Sequence, residues 1–522
     1  MTARTPQGCL LTRVIVCGGL ISSALFANDA PWILNPPGLE VISPDRPGED
    51  AGYNLRQTRD GSYIVAGCVT TPGRDRDLAV FKFRPDLSLD SHFGHDGIWT
   101  WGGSGTDLAI DLIEVEGEDG EPRGFLVVGI VEAGDGEFGG PVHHGKIDVV
   151  LARLTDEGEP DPAFGTGGFR FYGGGDDDEV VVHLHNYSEP GERLVQTPDG
   201  FVVAAMTRSN DGDLDQRATI GRAGGRDAMI FAVDMHGDYR ASFGDRGILR
   251  IGSNPGPEMG RRSPNEFVWS LVSDPRGGFV GAGYHLGADF RLGDALVRSP
   301  GNSSADGDNT GEDVKQHKMD GWVFRFDDSG RPMTDWADHG ISFIGGSWQE
   351  KIYDVLPVGD GYLVTGRTAS WDLEFARPQP TESTFDRVLL KLDTDGRLDR
   401  SFGQNGLVLE GGDGDDQALR IAELRAGGDL IWLSQSTSRP LPLQSIMPVD
   451  FYRQAVLTRL SPSGVTLQNW SLGERGEDKP VGFIVDREGR IVVVGFRNPN
   501  VRDEKDPQDP AGRNLLLMRF MP

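Results

Sequence analysis

One short phrase governs this chain. It is written out at 89–97, 161–168, 240–247, 334–340 and 398–406, and its clearest form is Leu398-Asp399-Arg400-Ser401-Phe402-Gly403-Gln404-Asn405-Gly406. An aromatic residue is followed by glycine (by Ala337 in the fourth copy), a second glycine comes three positions later, and a short apolar run follows at 98–101, 169–172, 248–251, 341–344 and 407–409. Glycine supplies positive φ in a tight turn, the aromatic gives the turn something to bury, and the apolar run reads as a strand. Self-similarity at a long fixed period is the signature of a repeat architecture, so the period decides the fold and the length of 522 residues does not.

Reading backward from each turn exposes the rest of the unit. A strand with an acidic or amide leader precedes it, at 77–83, 148–154, 227–233, 320–326, 386–392, 454–460 and 514–520. Before that lies a glycine-led apolar strand, at 61–67, 124–129, 200–205, 278–283, 361–366, 428–433 and 489–495. Earlier still comes an alternating strand with a polar leader, at 50–56, 107–113, 179–185, 265–271, 350–356, 416–422 and 478–484. Labelled a, b, c and d in chain order, these make seven units of four strands. The last unit ends at Phe520 after strand c, and 38–43 reads as the missing strand d. The expected fold is therefore all-β: a seven-bladed β-propeller whose ring is closed by an N-terminal strand, which removes exposed edges. The expected blades are 50–103, 104–175, 176–252, 253–346, 347–412, 413–473 and 474–522 with 38–43.

The stretch 395–406, with an apolar strand before it and Gly411-Gly412 after, resembles the delta-60 repeat family of bacterial exported proteins. The likeness spans essentially the whole chain after residue 27. It is strong in the first, second, third and fifth units, weaker in the fourth, and nearly lost at 464–470 in the sixth. It implies a propeller-like architecture and carries no activity that transfers residue by residue.

Residues 1–27 hold Arg4 and Arg13, no acid, and an apolar run from Val14, after which Asn28-Asp29-Ala30-Pro31 is polar. This reads as a secretory signal peptide cleaved near Ala27, with Ala24 and Ala30 as alternatives, and places the protein in the periplasm or outside the cell. Val16 before Cys17 argues against lipid attachment. Cleavage takes the formal charge from −29 to −31 and leaves Cys68 as the single cysteine, so no internal disulfide forms. So acidic a surface repels phosphate backbones and anionic lipid. Nucleic acid and membrane surfaces are excluded as partners, cations and basic ligands are favoured, and a monomer is expected.

Antiparallel order places b–c and d–a loops on one face, here called the top, and the aromatic-glycine turns at the bottom. A turn repeated in most blades serves the fold, whereas the long b–c loops at 130–147, 206–226, 284–319, 367–385, 434–453 and 496–513 differ between blades. Loop 305–313 offers Asp306, Asp308 and Asp313, oxygen ligands that suit calcium, but it lacks the full EF-hand spacing and a solvated acidic loop is the preferred reading. No other cofactor is implied.

The strand-a leaders Asp50, Asp107, Glu179, Asn265, Glu350, Asp416 and Asp478 gather at the channel mouth, where they either cap loop amides or attract cations. Four residues on stand Asn54, Asp111, His183, Trp269, Asp354, Arg420 and Gly482, polar in most blades and different in each, with His185 on the face of His183. As an enzyme site, Asp111 and Asp354 suit general acid and base, His183 a base near neutrality, and Arg420 an anion clamp. As structure, they form a hydrogen-bonded plug. No nucleophile elbow, phosphate loop, cysteine pair or zinc motif is present. The leading expectation is a non-catalytic exported propeller binding a ligand, polymer or protein through its top loops. The rival is a lyase or hydrolase working at the channel mouth, and an apolar patch at Trp371 or along 436–451 would favour a docked partner.

Overall fold

The structure, a computed structural model, describes residues 50–70, 76–103, 105–132, 147–175, 178–179, 191–211, 213, 219–220, 225–252, 265–286, 289–292, 295–298, 319–346, 348–372, 375, 384–412, 414–424, 428–437, 454–472, 477–498 and 514–521, together with strands 32–34 and 40–42. Seven small antiparallel sheets stand around an axis, each ordered d-c-b-a from rim to centre. The inner strands are Ala51–Gln57, Leu108–Glu116, Leu194–Thr197, Glu266–Ser273, Glu350–Val358, Asp416–Glu423 and Glu477–Val485. Each lies beside the inner strand of the next blade, and the seventh lies beside the first, so the ring closes. The chain is a seven-bladed β-propeller with no α-helix among the described residues.

A blade is covered by a neighbour on both faces, which is why the centres of its middle strands are buried on consecutive residues rather than on alternate ones. Ile64 and Val65, or Ile230 and Phe231, are fully buried although they point opposite ways. The core is accordingly a set of layers between blades. Ile64, Leu78 and Val80 of the first blade, for example, pack on Leu112, Phe125 and Val127 of the second.

The recurring phrase is an interlock. Phe93, Phe164, Phe243, Trp336 and Phe402 are buried, and each ring packs on a glycine in the c–d turn of the next blade: Gly158, Gly237, Gly330, Gly396 and Gly464. The residue after each aromatic donates its backbone N–H to that same turn, Gly94 to Glu157 O at 2.7 Å and Gly244 to Ser329 O at 2.7 Å. Both halves of the repeat motif are thus parts of one joint, the aromatic on one blade and the glycine that makes room for it on the next. The weakened motif of the sixth unit follows directly. Its neighbour, blade seven, takes strand d from elsewhere and has no c–d turn to receive a ring. The first blade shows the converse: no ring arrives from blade seven, and buried Leu87, at φ 67°, occupies the position that is glycine in the others.

Ring closure follows the sequence expectation and adds to it. Strand Glu40–Ile42 pairs antiparallel with the last strand, Val41 facing Met518. Just before it, Trp32–Leu34 adds in parallel to the outer edge of blade six, Ile33 facing Trp470. Blade three gains an outer strand in the same way, Thr219–Ile220 beside Arg250 and Ile251. A hairpin, Asp289–Leu292 with Ala295–Arg298, stands within the longest top loop.

Two strand assignments need correction. The third inner strand is not 179–185. Asp178–Glu179 pairs with Met206 and Thr207, and Leu194–Thr197 pairs with 200–203 of the same strand. In blade four the leader is Glu266, facing His285, rather than Asn265. The register of blade three likewise makes Asp178 the leader in place of Glu179. Six inner strands carry a β-bulge at one place, the extra residues being Tyr53, Ile110, Trp269, Tyr353, Leu419 and Val481. Opposite it, strand b has Gly67, Gly129, Gly283, Gly366 and Gly495, where a methyl group would overlap a strand-a carbonyl oxygen.

Deleting residues through Ser43 uncovers the edge of 514–520 and of the sixth outer strand. The truncated protein is expected to melt many degrees lower and to self-associate, read by calorimetry and size-exclusion chromatography; unchanged melting would refute closure through this segment.

Candidate functional site

The bulge re-aims the residue that follows it, and in the observed register these axial residues are Asn54, Asp111, Ser270, Asp354, Arg420 and Gly482. In blade three the residue opposite Ala204 is Arg193, whose carbonyl accepts the Ala204 N–H. Ser270 therefore replaces Trp269, which is itself the bulge residue and packs with Phe267, Tyr284 and Tyr353. His183 and His185, Asp306, Asp308 and Asp313 all lie outside the described residues.

The axial side chains meet one another. Asn54 Nδ2 donates to Asp111 Oδ1 at 2.7 Å, and Arg56 Nη2 reaches the same oxygen at 3.2 Å. Asp111 Oδ2 takes the backbone N–H of Arg193 at 2.7 Å and of Leu194 at 3.2 Å. Across the axis, Asp354 accepts from Ser270 Oγ at 2.9 Å and from the Ile421 N–H at 3.1 Å, with Arg420 Nε at 3.4 Å. Glu192 joins the halves, 2.8 Å from Arg420 and 3.4 Å from Arg56. Its backbone bridges too: Asn54 donates to Gly191 O and the Leu271 N–H donates to Glu192 O. Residues 191–193 thus touch blades one, two, four and six. Arg193 lies 5.2 Å from the Trp269 ring.

Two guanidinium groups (Arg56 and Arg420) stand among three carboxylates (Asp111, Glu192 and Asp354), with Glu192 within reach of both. Asp111 is fully buried and Asp354 nearly so. Burial pushes both carboxyls above the usual range, against the pull of Arg56 on Asp111 and of Arg420 on Asp354. Burial also works on Glu192, but Arg56 and Arg420 outweigh it and hold that carboxyl low. Arg420 is held above its ordinary value: burial opposes the charge, and Asp354 and Glu192 more than offset it.

The upper rim holds a second set of acids. Every blade has one at the leader of strand a: Asp50, Asp107, Asp178, Glu266, Glu350, Asp416 and Asp478. Where their contacts are defined, they cap loops. Asp107 accepts the Gly103 N–H at 2.8 Å and the Glu132 N–H at 3.0 Å, while Glu350 accepts the Gly346 N–H at 2.9 Å and the Thr368 hydroxyl at 2.8 Å. The Gly-Gly step after strand d is the steric partner of this arrangement. A methyl on Gly102 would strike Asp77 and Asp107, on Gly345 Asp320, and on Gly411 Asp386. Among the described residues no group of three or more His, Cys, Asp or Glu is placed to hold a metal ion.

Sequence reasoning missed Arg56, Glu192, Arg193 and Ser270. Arg56 was open to alternation, standing two residues after Asn54 on the same strand. Arg193 had a spacing signal: the other blades run from strand a into strand b through a tight hairpin, and an inner strand ending at 185 would leave blade three a long gap before Gly200.

No family model and no curated protein matches the chain. Among solved structures, a protein of unknown function from Dyadobacter fermentans aligns over 93% of this chain and 99% of its own, at 10% identity and TM-score 0.34. Sqt1 from Chaetomium thermophilum aligns over 93% and 100% at 10% identity and TM-score 0.39, and a glucose dehydrogenase over 92% and 99% at 12% and 0.33. These likenesses carry nothing about activity, and the propeller rests on the strand pairings themselves.

Replacing Arg420 by Met strands Glu192 and Asp354 in the channel and is expected to cost roughly 3–5 kcal/mol at pH 7.5 by urea unfolding, with the deficit shrinking toward pH 5 as the carboxyls take up protons. An equal deficit at both pH values would contradict the charge network. Glu350 gives the pH dependence a sign. Burial pushes its carboxyl up to about 7, so the folded state prefers it protonated and stability rises as pH falls from about 8 through 7 toward the unfolded value. Glu350→Gln should remove a pH-dependent change on the order of 3–4 kcal/mol, measured as melting temperature against pH.

Proposed function

We propose that this protein is an exported, non-catalytic propeller that binds its ligand or partner through the loops of its top face. One observation carries the reading. The residues best suited to chemistry at the axis, Asp111, Asp354 and Arg420, are buried and engaged with one another and with Glu192, Arg56, Asn54 and Ser270. An acid, a base and an anion clamp that are already partnered act as a plug. The bottom face is likewise committed, because its turns interlock blade with blade. What differs from blade to blade is on top, in the b–c and d–a loops.

The signal-like segment 1–27, the delta-60 likeness and the strongly acidic surface support export and a basic or cationic ligand. The mature chain, screened against polysaccharide and peptide arrays, is expected to yield a ligand whose affinity falls at least about tenfold when 436–451 is shortened or Trp371 is replaced, and stays within about twofold for Ser401→Ala on the bottom face. A turnover activity abolished by Asp111→Asn in a folded protein would instead place the function at the axis.

A further inference from the structure

The structure brings together two tryptophans that are far apart in sequence and that the fold does not use as core. Trp348 belongs to the d–a loop entering blade five, and Trp371 to the start of that blade's b–c loop. Their rings lie 5.4 Å apart, tilted by 47°, and both keep part of their surface in solvent. The loops are pinned beneath them: the Trp348 N–H donates to Ser370 Oγ at 2.9 Å, and Gly346 to Glu350. Other tryptophans spend their indole N–H on the protein, Trp322 on Phe267 O, Trp336 on Thr394 O and Trp432 on Thr365 Oγ1. Among the described residues, neither Trp348 nor Trp371 does so.

Among the described residues, the charged side chains that pack against the glycines beneath the pair are acids. Asp372 follows Trp371 and its carboxylate packs against Gly346, and Asp320 packs against Gly345. Stretches 345–350 and 369–372 contain no Lys, Arg or His. The nearest bases in the blade are laid on other rings, Lys351 on Tyr284 at 4.5 Å and Arg367 on Phe385 at 4.0 Å. Two indole faces backed by carboxylates, on a protein of formal charge −29, select a weakly hydrated organic cation, because the electron-rich face of tryptophan attracts a positive charge and the surrounding acids exclude anions.

We infer that the Trp348–Trp371 pair is a binding subsite for an organic ammonium group, quaternary or alkylated, within the top-face ligand surface. This rests on the binding reading above and names the chemistry it recognises. Asp372 supplies the counter-charge and the two rings the contact.

Titration of the mature chain with choline or tetramethylammonium, at constant ionic strength and followed by calorimetry, tests it. Saturable one-site binding is expected, weakened at least about tenfold by Trp371→Ala and by Trp348→Ala and several-fold by Asp372→Asn, with melting temperature confirming that each variant is folded. The uncharged isostere 3,3-dimethylbutan-1-ol should bind at least about tenfold more weakly. Equal affinity for the uncharged isostere, binding unaffected by both tryptophan variants, or no saturation would overturn the assignment. If the ammonium probes fail while an array ligand still depends on the top loops, the cation site is wrong and the binding reading stands; if neither binds, both fall.

Discussion

The structure depends on a joint made between successive blades. A ring buried at the bottom of one blade seats on a glycine of the next, and a backbone N–H fixes the pair, as with Phe164 on Gly237 and Gly165 on His236 O. A four-stranded sheet of this size cannot bury its two faces alone. The joint recurs at five of the seven blade junctions, and apolar layers fill the space between the sheets it ties together. At blade seven the ring is closed instead by Glu40–Ile42 pairing with the last strand.

Pseudo-symmetry then decides where individuality is available. The bottom is occupied by joints, and the blade middles by layers in which both faces are buried. The axis holds a polar network that is asymmetric in identity, in which Asp111, Glu192 and Asp354 each have partners. Such a network is costly if any member is removed and adds specificity to the packing when all are present. The top rim carries an acid at the start of each inner strand, which at Asp107 and Glu350 caps the glycine step before it, and the connecting loops differ in sequence from blade to blade. Trp348 and Trp371 are brought together by this division, since Glu350 holds one of their loops by its amide while leaving the indoles to the solvent side.

Much of this was readable in the sequence because the joint leaves a local signature. The outer strands Ile98–Trp101, Phe169–Tyr172 and Ile248–Ile251 begin and end where the aromatic-glycine turns place them, and the closing strand pairs as the missing fourth strand should. What escaped was whatever broke local regularity. In blade three Asp178–Glu179 and Leu194–Thr197 both pair with the second strand, whereas polar leader and alternation pointed at 179–185. A single-residue slip at Asn265 and Glu266 moved the axial position from Ser270 to Trp269, because polarity alone does not separate two adjacent polar leaders. Trp32–Leu34 is too short to show a period and joins its sheet in parallel, which no turn announces. Arg56, Glu192 and Arg193 are brought to the axis by the ring as a whole, and only the assembled geometry pairs them.

The closing strand has a consequence in time. Val41 and Met518 are neighbours in one sheet yet stand 477 positions apart. Contacts of such separation are the last to be rewarded during folding, because the loop they close must be ordered first. Six blades can form in order from contiguous sequence, whereas the seventh waits for both ends of the described chain. Until then the outer edges of blades six and seven stay open to any other extended segment. The interval between making the last strand and capturing the first is therefore when this protein is most vulnerable to pairing with the wrong molecule.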